Sequence, residues 1–174
     1  YLTYPLKRRS VLTAKLVSAL GVSLLLFVTV QTTALYIITP QILSSYLSTV
    51  VLSYLANFAY FLIVICITIL LTMIVKKGAV TLIFGIILYF GLYLSVGFAT
   101  SISYASNSAL ALQIVSFFAP TSALGRYISS SSLSIRNTWI PAYADVLSFI
   151  IVSYAIVAVL LALSHYYFSR RLNL

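Results

Sequence analysis

The sequence predicts an all-α integral membrane protein with four transmembrane helices, and composition is the first observation behind this prediction. Of its 174 residues, 63% are hydrophobic and only 6% are charged, and the mean hydropathy is +1.15. Soluble domains carry about 25% charged residues, so a soluble fold does not fit. The sequence has 10 basic and 1 acidic side chains. This excess does not indicate a nucleic-acid partner, because a nucleic-acid-binding protein would need a soluble fold to carry its basic face.

The second observation is a set of four apolar stretches of membrane-spanning length. A helix needs about 20 apolar residues to cross roughly 30 Å of hydrocarbon. Because lipid offers no partners for open backbone groups, all four stretches are predicted to be helical. We expect one transmembrane domain over residues 1–174, with spans at about 16–38, 50–75, 79–101 and 146–168.

The third observation is the distribution of basic residues, which predicts the orientation. Eight of the ten fall on one side of a four-span topology, and only Arg126 and Arg136 fall on the other. By the positive-inside rule, both ends of this multi-pass chain are expected to be cytoplasmic, in the cell membrane. The eight are Lys7, Arg8, Arg9, Lys15, Lys76, Lys77, Arg170 and Arg171.

The connections between the spans differ in length. Short links predict that the first three spans form a tight antiparallel meander. The stretch 105–143 is long and is predicted to be external. Within it, Ala109 to Phe118 is apolar but too short to cross the membrane, which predicts a re-entrant or interfacial helix, broken at Pro120, before the last span.

The scarcity of reactive side chains argues against chemistry within this chain. Asp145, His165 and Cys66 are its only carboxylate, imidazole and thiol side chains, so it cannot assemble a carboxylate pair, a catalytic triad or a tetrahedral metal site. We therefore expect no enzyme activity and no cofactor. Asp145 is interpreted as a first-turn residue of the last span, and Cys66 as a small core residue.

A few polar groups inside the spans are candidates for lining a substrate path. Ser53 and Asn57 share a helix face at i, i+4, where we expect hydrogen bonds to another helix. Tyr89, Tyr93 and Tyr104 could line a route for an amphipathic substrate, although tyrosine in a helix bundle also serves in packing. Asn57, Tyr89 and Tyr93 are the path-lining candidates.

The segment before the first span carries the one motif with a family resemblance. It reads YPLKRRSVLTAKLVSAL, with Arg8 three residues after Pro5 and Lys15 ten residues after it. This resembles the segment before the third membrane helix of type-2 ATP-binding-cassette (ABC) transporter permeases, which has the form proline, apolar, small, arginine, then a lysine at the start of an apolar helix. Two positions depart from that pattern: Lys7 replaces the small residue, and Ser10 replaces the acidic residues that often follow the arginines.

The resemblance covers the whole chain and implies both a fold and a function. The chain would be the C-terminal four-helix portion of a six-helix protomer, with two helices preceding it. It would be the membrane-spanning permease subunit of an ABC exporter, paired with a second copy or a homologue. Cytoplasmic ATPase subunits that bind ATP and Mg would drive it through contacts near Pro5, Arg8, Arg9 and Lys15.

Two alternatives remain open from the residues themselves. Anionic lipid headgroups, instead of an ATPase, could be the partner of the basic segment. The sequence also has no Gly-x-x-x-x-Gly-Lys-Ser/Thr phosphate loop, so any ATP hydrolysis would occur in a partner chain. The competing function is a cofactor-free structural or accessory subunit of a larger membrane complex, such as a respiratory assembly.

Overall fold

The computed structural model describes residues 8–38, 46–75, 77–129 and 139–171, and all regular structure within these ranges is helical. Four of the helices are long and apolar enough to cross a membrane, which confirms the predicted helical class and number of candidate spans. The helices are α1 (Arg8–Ile38), α2 (Leu47–Val75), α3 (Gly78–Ser106), α4 (Leu110–Phe118), α5 (Pro120–Ser129) and α6 (Tyr143–Arg171). The four long ones are α1, α2, α3 and α6.

The chain divides into two compact units near residue 50, and α1 makes up most of the first. None of its apolar window Leu20–Ile37 is buried. Its threonines donate to backbone carbonyls of their own helix, Thr29 to Leu25 at 2.8 Å and Thr32 to Val28 at 2.6 Å. Such bonds satisfy the hydroxyl groups within the helix itself.

The core of the second unit lies between α2, α5 and α6. Two alanines with no exposed surface, Ala56 of α2 and Ala123 of α5, allow the helices to approach closely. Phe149 of α6 contacts two further rings edge-on, Phe117 at a centroid distance of 5.0 Å and Trp139 at 5.7 Å. The buried cluster consists of Leu52, Ala56, Ala123, Leu124, Val146, Phe149 and Ile150.

The break between α4 and α5 follows from Pro120. Proline lacks the amide hydrogen of an interior helical residue, and its ring clashes with the preceding turn, so α4 ends at Phe118 as the sequence predicted. The first turn of a helix tolerates proline, and a second helix, α5, begins at Pro120 itself. The sequence does not predict α5. Residues 130–138 of the predicted external stretch lie outside the described residues.

The helix α4 runs from one end of α3 to a point well inside the length of α6. Near its start, the Ser103 hydroxyl of α3 donates to the Ser108 carbonyl at 2.6 Å. Near its end, the Ser153 hydroxyl of α6 donates to the Phe117 carbonyl at 2.7 Å. Ser153 lies ten residues after the start of α6. The end of α4 is therefore about 15 Å from the start of α6, measured along the α6 axis.

The helix α5 returns in the opposite direction. Arg126 in its last turn hydrogen-bonds to Thr100 near the end of α3. Tyr127 packs on Tyr143 at the start of α6, with ring centroids 6.2 Å apart. The pair α4–α5 therefore starts and ends at the same end of α3 and α6. Its turn at Ala119 lies about a third of the way along α6, near Ser153.

Candidate functional site

A cavity of about 390 Å³ lies between α2, α3 and the turn from α4 to α5. It brings together the three path-lining candidates Asn57, Tyr89 and Tyr93, which the sequence distributes over two spans. None of the lining residues carries a charge. They are Asn57, Tyr60, Tyr89, Tyr93, Val96, Ala119, Thr121 and Ser122.

The cavity lies near the middle of the α3 helix. Tyr93 is one residue from the centre of the helix, which runs from Gly78 to Ser106, and Tyr89 and Val96 lie about one turn to either side. At that level, neighbouring surfaces of a membrane-spanning helix are hydrocarbon. A group of neutral polar side chains there provides hydrogen bonds that lipid cannot provide.

Tyr60 closes the cavity between α2 and α3. Its hydroxyl donates to the Tyr89 carbonyl at 2.7 Å, and the two rings lie 5.5 Å apart. The sequence analysis missed Tyr60, although it lies three residues after Asn57 and therefore shares a face of α2 with that candidate.

Asn57 is satisfied differently from what the sequence analysis expected. Its amide nitrogen donates to the Ser53 carbonyl at 2.8 Å and to the Ser53 hydroxyl at 3.3 Å, so these bonds lie within α2 and not between helices. The i, i+4 spacing brings these groups within reach of each other on α2 itself. Among the described residues, the side-chain nitrogen is the only Asn57 side-chain atom that forms a hydrogen bond. The Oδ1 atom therefore remains available as an acceptor for a ligand.

Two neighbouring hydroxyl groups, those of Ser116 and Ser122, lie where α4 and α5 border the cavity. The Ser116 hydroxyl donates to the Leu112 carbonyl at 2.7 Å and lies 3.0 Å from the Ser122 hydroxyl. Either hydroxyl of this pair can donate to the other. The Ser122 hydroxyl and the Oδ1 atom of Asn57 can both accept hydrogen bonds at the cavity.

Arg126 lies one helical turn beyond Ser122 on α5. Its guanidinium donates to the Thr100 hydroxyl at 2.9 Å, and that hydroxyl donates in turn to the carbonyl of Val96, a lining residue, at 2.7 Å. Burial lowers the pKa of Arg126, but a guanidinium stays protonated in proteins. From the sequence, Arg126 was predicted only to lie on the external side. Its i, i+4 spacing from Ser122 would have indicated that the two side chains share a helix face.

The one acidic side chain of the sequence is engaged at the start of α6. The Asp145 carboxylate accepts a hydrogen bond from the Ala142 amide at 2.9 Å, and Asp145 lies in the first turn, as predicted. Cys66 is a buried free thiol, also as predicted. The described residues contain no group of three His, Cys, Asp or Glu side chains that could hold a metal ion.

The proposed ATPase-coupling residues fall at the start of the chain. Pro5 lies outside the described residues, whereas Arg8, Arg9 and Lys15 belong to α1. Arg8 and Lys15 are seven residues apart, so the helix places them on nearly the same face, about two turns from each other.

No protein-family model, curated protein or solved structure matches this chain. The resemblance to type-2 ABC permeases therefore rests on the N-terminal motif and the order of the spans.

Proposed function

We propose that the chain is the membrane-spanning permease subunit of an ABC exporter, in which helices form a translocation path and separate cytoplasmic ATPase subunits drive it. The observation that carries the proposal is the neutral polar cavity near the middle of α3. A bundle that only fills space gains from close packing at that level. A path for an amphipathic molecule instead needs polar groups there, and Asn57, Ser122 and the tyrosines supply them.

Two contacts support the antiparallel arrangement of neighbouring spans. Tyr60 of α2 bonds to Tyr89 of α3. Further along α2 but earlier in α3, a methyl group added to Gly85 would lie 3.1 Å from the Thr68 hydroxyl. Combined with the basic residues, this arrangement favours a multi-pass protein of the cell membrane with both chain ends in the cytoplasm.

The proposal defines the partners of the chain. ATP and Mg bind to cytoplasmic ATPase subunits, and the permease pairs with a second copy or a homologue. The chain contributes the C-terminal four helices of a six-helix protomer. Membrane lipids contact its apolar helices and basic residues, and nucleic acid has no role.

Neutralising the coupling face of α1 tests the function. In the complex purified from membranes with the full chain, Arg8→Gln with Lys15→Gln should lower ATP hydrolysis severalfold, because these charges transmit the ATPase contact. Lys77→Gln is the matched control, since Lys77 is exposed and lies on the same predicted side. Exposed charges contribute at most about 1 kcal/mol to stability, so the control should leave both the melting temperature and hydrolysis unchanged. Arg126 cannot serve as a control, because it bonds to Thr100.

The competing function is a structural or accessory subunit of a larger membrane complex. The observation in its favour is the apolar window of α1, none of which is buried. A purified complex that contains no ATPase, or equal effects of the α1 and Lys77 substitutions, would favour this second function over the first.

A further inference from the structure

One face of α3 carries four polar side chains and one valine between the cavity and the C-terminal end of the helix. The residues on it recur at intervals of three or four, which places them on one side of a helix. Two of its tyrosines are strongly exposed: Tyr93, near the centre of the helix, at 71% of its surface, and Tyr104, near the C-terminal end, at 59%. In order, the face consists of Tyr89, Tyr93, Val96, Thr100 and Tyr104.

Arg126 adds a positive charge to this face. Its guanidinium donates a hydrogen bond to Thr100, which lies on α3 one turn after the lining residue Val96. On α5, Arg126 itself lies one turn after the lining residue Ser122. Among the described residues, its guanidinium donates this single side-chain hydrogen bond, although a guanidinium has five N–H groups. The only acidic side chain of the sequence, Asp145, caps the start of α6. No other carboxylate side chain of the sequence can therefore pair with Arg126.

The depth of Arg126 indicates where that anion comes from. The 29 residues of α3 extend over about 43 Å, whereas the hydrocarbon is about 30 Å thick, so each end projects by about 7 Å. Thr100 lies six residues before the end of α3, or about 9 Å along the axis. Arg126 thus lies close to the level at which hydrocarbon meets lipid headgroups, and exposed tyrosines such as Tyr104 are typical of that level.

We propose that Arg126, held in place by Thr100, binds the phosphate of an anionic lipid headgroup in the leaflet at the C-terminal end of α3. Guanidinium and phosphate form paired hydrogen bonds of fixed geometry, and the lipid is already present at this depth. The site needs no transport activity, so it holds whether the chain is a permease or an accessory subunit. Free inorganic phosphate shares this chemistry but would have to arrive from water.

Native mass spectrometry of the full chain released from nanodiscs tests the lipid site. With phosphatidylcholine and phosphatidylglycerol mixed in the discs, the protein should retain phosphatidylglycerol preferentially. Arg126→Gln should lower this preference at least about tenfold, as expected for a lost hydrogen bond between charged groups. Arg126→Lys should lower it less, because lysine keeps the charge but not the paired geometry. Lys77→Gln, which removes an exposed charge elsewhere, should lower it much less than Arg126→Gln does.

Several outcomes would overturn the proposal. One is a protein that retains both lipids equally, and another is an equal loss of preference in Arg126→Gln and Lys77→Gln. Adding inorganic phosphate to lipid-free protein in detergent separates the two sources of phosphate. A rise in melting temperature that depends on Arg126 there, without a lipid preference in nanodiscs, would assign the site to the free anion. If Arg126→Gln does not fold, Arg126→Lys decides: a weakened preference supports the site, and an unchanged preference refutes it.

Discussion

Ser153 holds the turn between α4 and α5 against α6, so its replacement by alanine tests the path of these two short helices. Ser153 has no exposed surface. Its hydroxyl lies 2.7 Å from the Phe117 carbonyl of α4 and 2.8 Å from the Phe149 carbonyl of its own helix. The substitution Ser153→Ala removes this hydroxyl and changes little else.

The expected cost follows from the position of Phe117. It lies in the last turn of α4, where carbonyls have no intrahelical partner. Leaving a buried acceptor unpaired costs about 1–3 kcal/mol, while hydrogen bonds between membrane helices average about 0.6 kcal/mol. We expect Ser153→Ala to lower the free energy of unfolding by about 1 kcal/mol, between these two scales.

Ser164→Ala is the matched control, because Ser164 also belongs to α6 and is fully buried. Its hydroxyl donates only to the Leu160 carbonyl of its own helix, at 2.8 Å, so its loss should change stability by less than about 0.5 kcal/mol. Reversible denaturation of the full chain in mixed micelles measures both variants. Equal destabilisation by the two substitutions would refute the assigned bond between α6 and α4.

Two further predictions concern the packing of α3 and the orientation of the chain. Gly85→Ala would place its new methyl group 3.1 Å from the Thr68 hydroxyl and should lower the free energy of unfolding by about 1 kcal/mol in the same assay. In the control Gly91→Ala, the new methyl group meets no atom within 4 Å, so this substitution should be neutral or stabilising. A larger destabilisation by Gly91→Ala than by Gly85→Ala would contradict the close approach of α2 and α3. A cysteine at Ser131 should react with an impermeant reagent outside intact cells and one at Gly78 should not, and labelling of Gly78 from outside would overturn the proposed orientation.

The long spans could be predicted from the sequence because their signal is large. Each needs only an apolar stretch of sufficient length, and the basic pairs mark ends such as Lys76-Lys77. Pro120 gave a second strong signal, since its effect on a helix is local and does not depend on the surroundings. Asn57, Tyr89 and Tyr93 could be selected as candidates because polar groups are rare within apolar spans.

The remaining features depend on tertiary contacts that periodicity does not contain. The ten residues that form α5 are too few and too weakly apolar to predict a helix. The role of Ala123 in the core becomes evident only when α2 and α6 are packed against it. The sequence places Arg126 on the external side, but its hydrogen bond to Thr100 is a tertiary contact that the sequence does not predict. Tyr60 resembled other aromatic residues of α2 until its hydroxyl was found on Tyr89.

Pro120 accounts for both the break in the short helices and the polar character of the cavity beside it. Along α1, hydroxyl groups such as that of Thr29 bond to their own helix, because an intact helix leaves no backbone group unpaired. At the break, the ends of α4 and α5 leave backbone groups without helical partners. Side chains from other helices form hydrogen bonds with these groups, as the Ser153 hydroxyl does with the Phe117 carbonyl. Irregular backbone at membrane depth is stable only where protein or a polar cavity surrounds it. A proline in a stretch too short to span thus explains why the polar groups gather beside this turn, and why Arg126 on the returning helix α5 lies next to them.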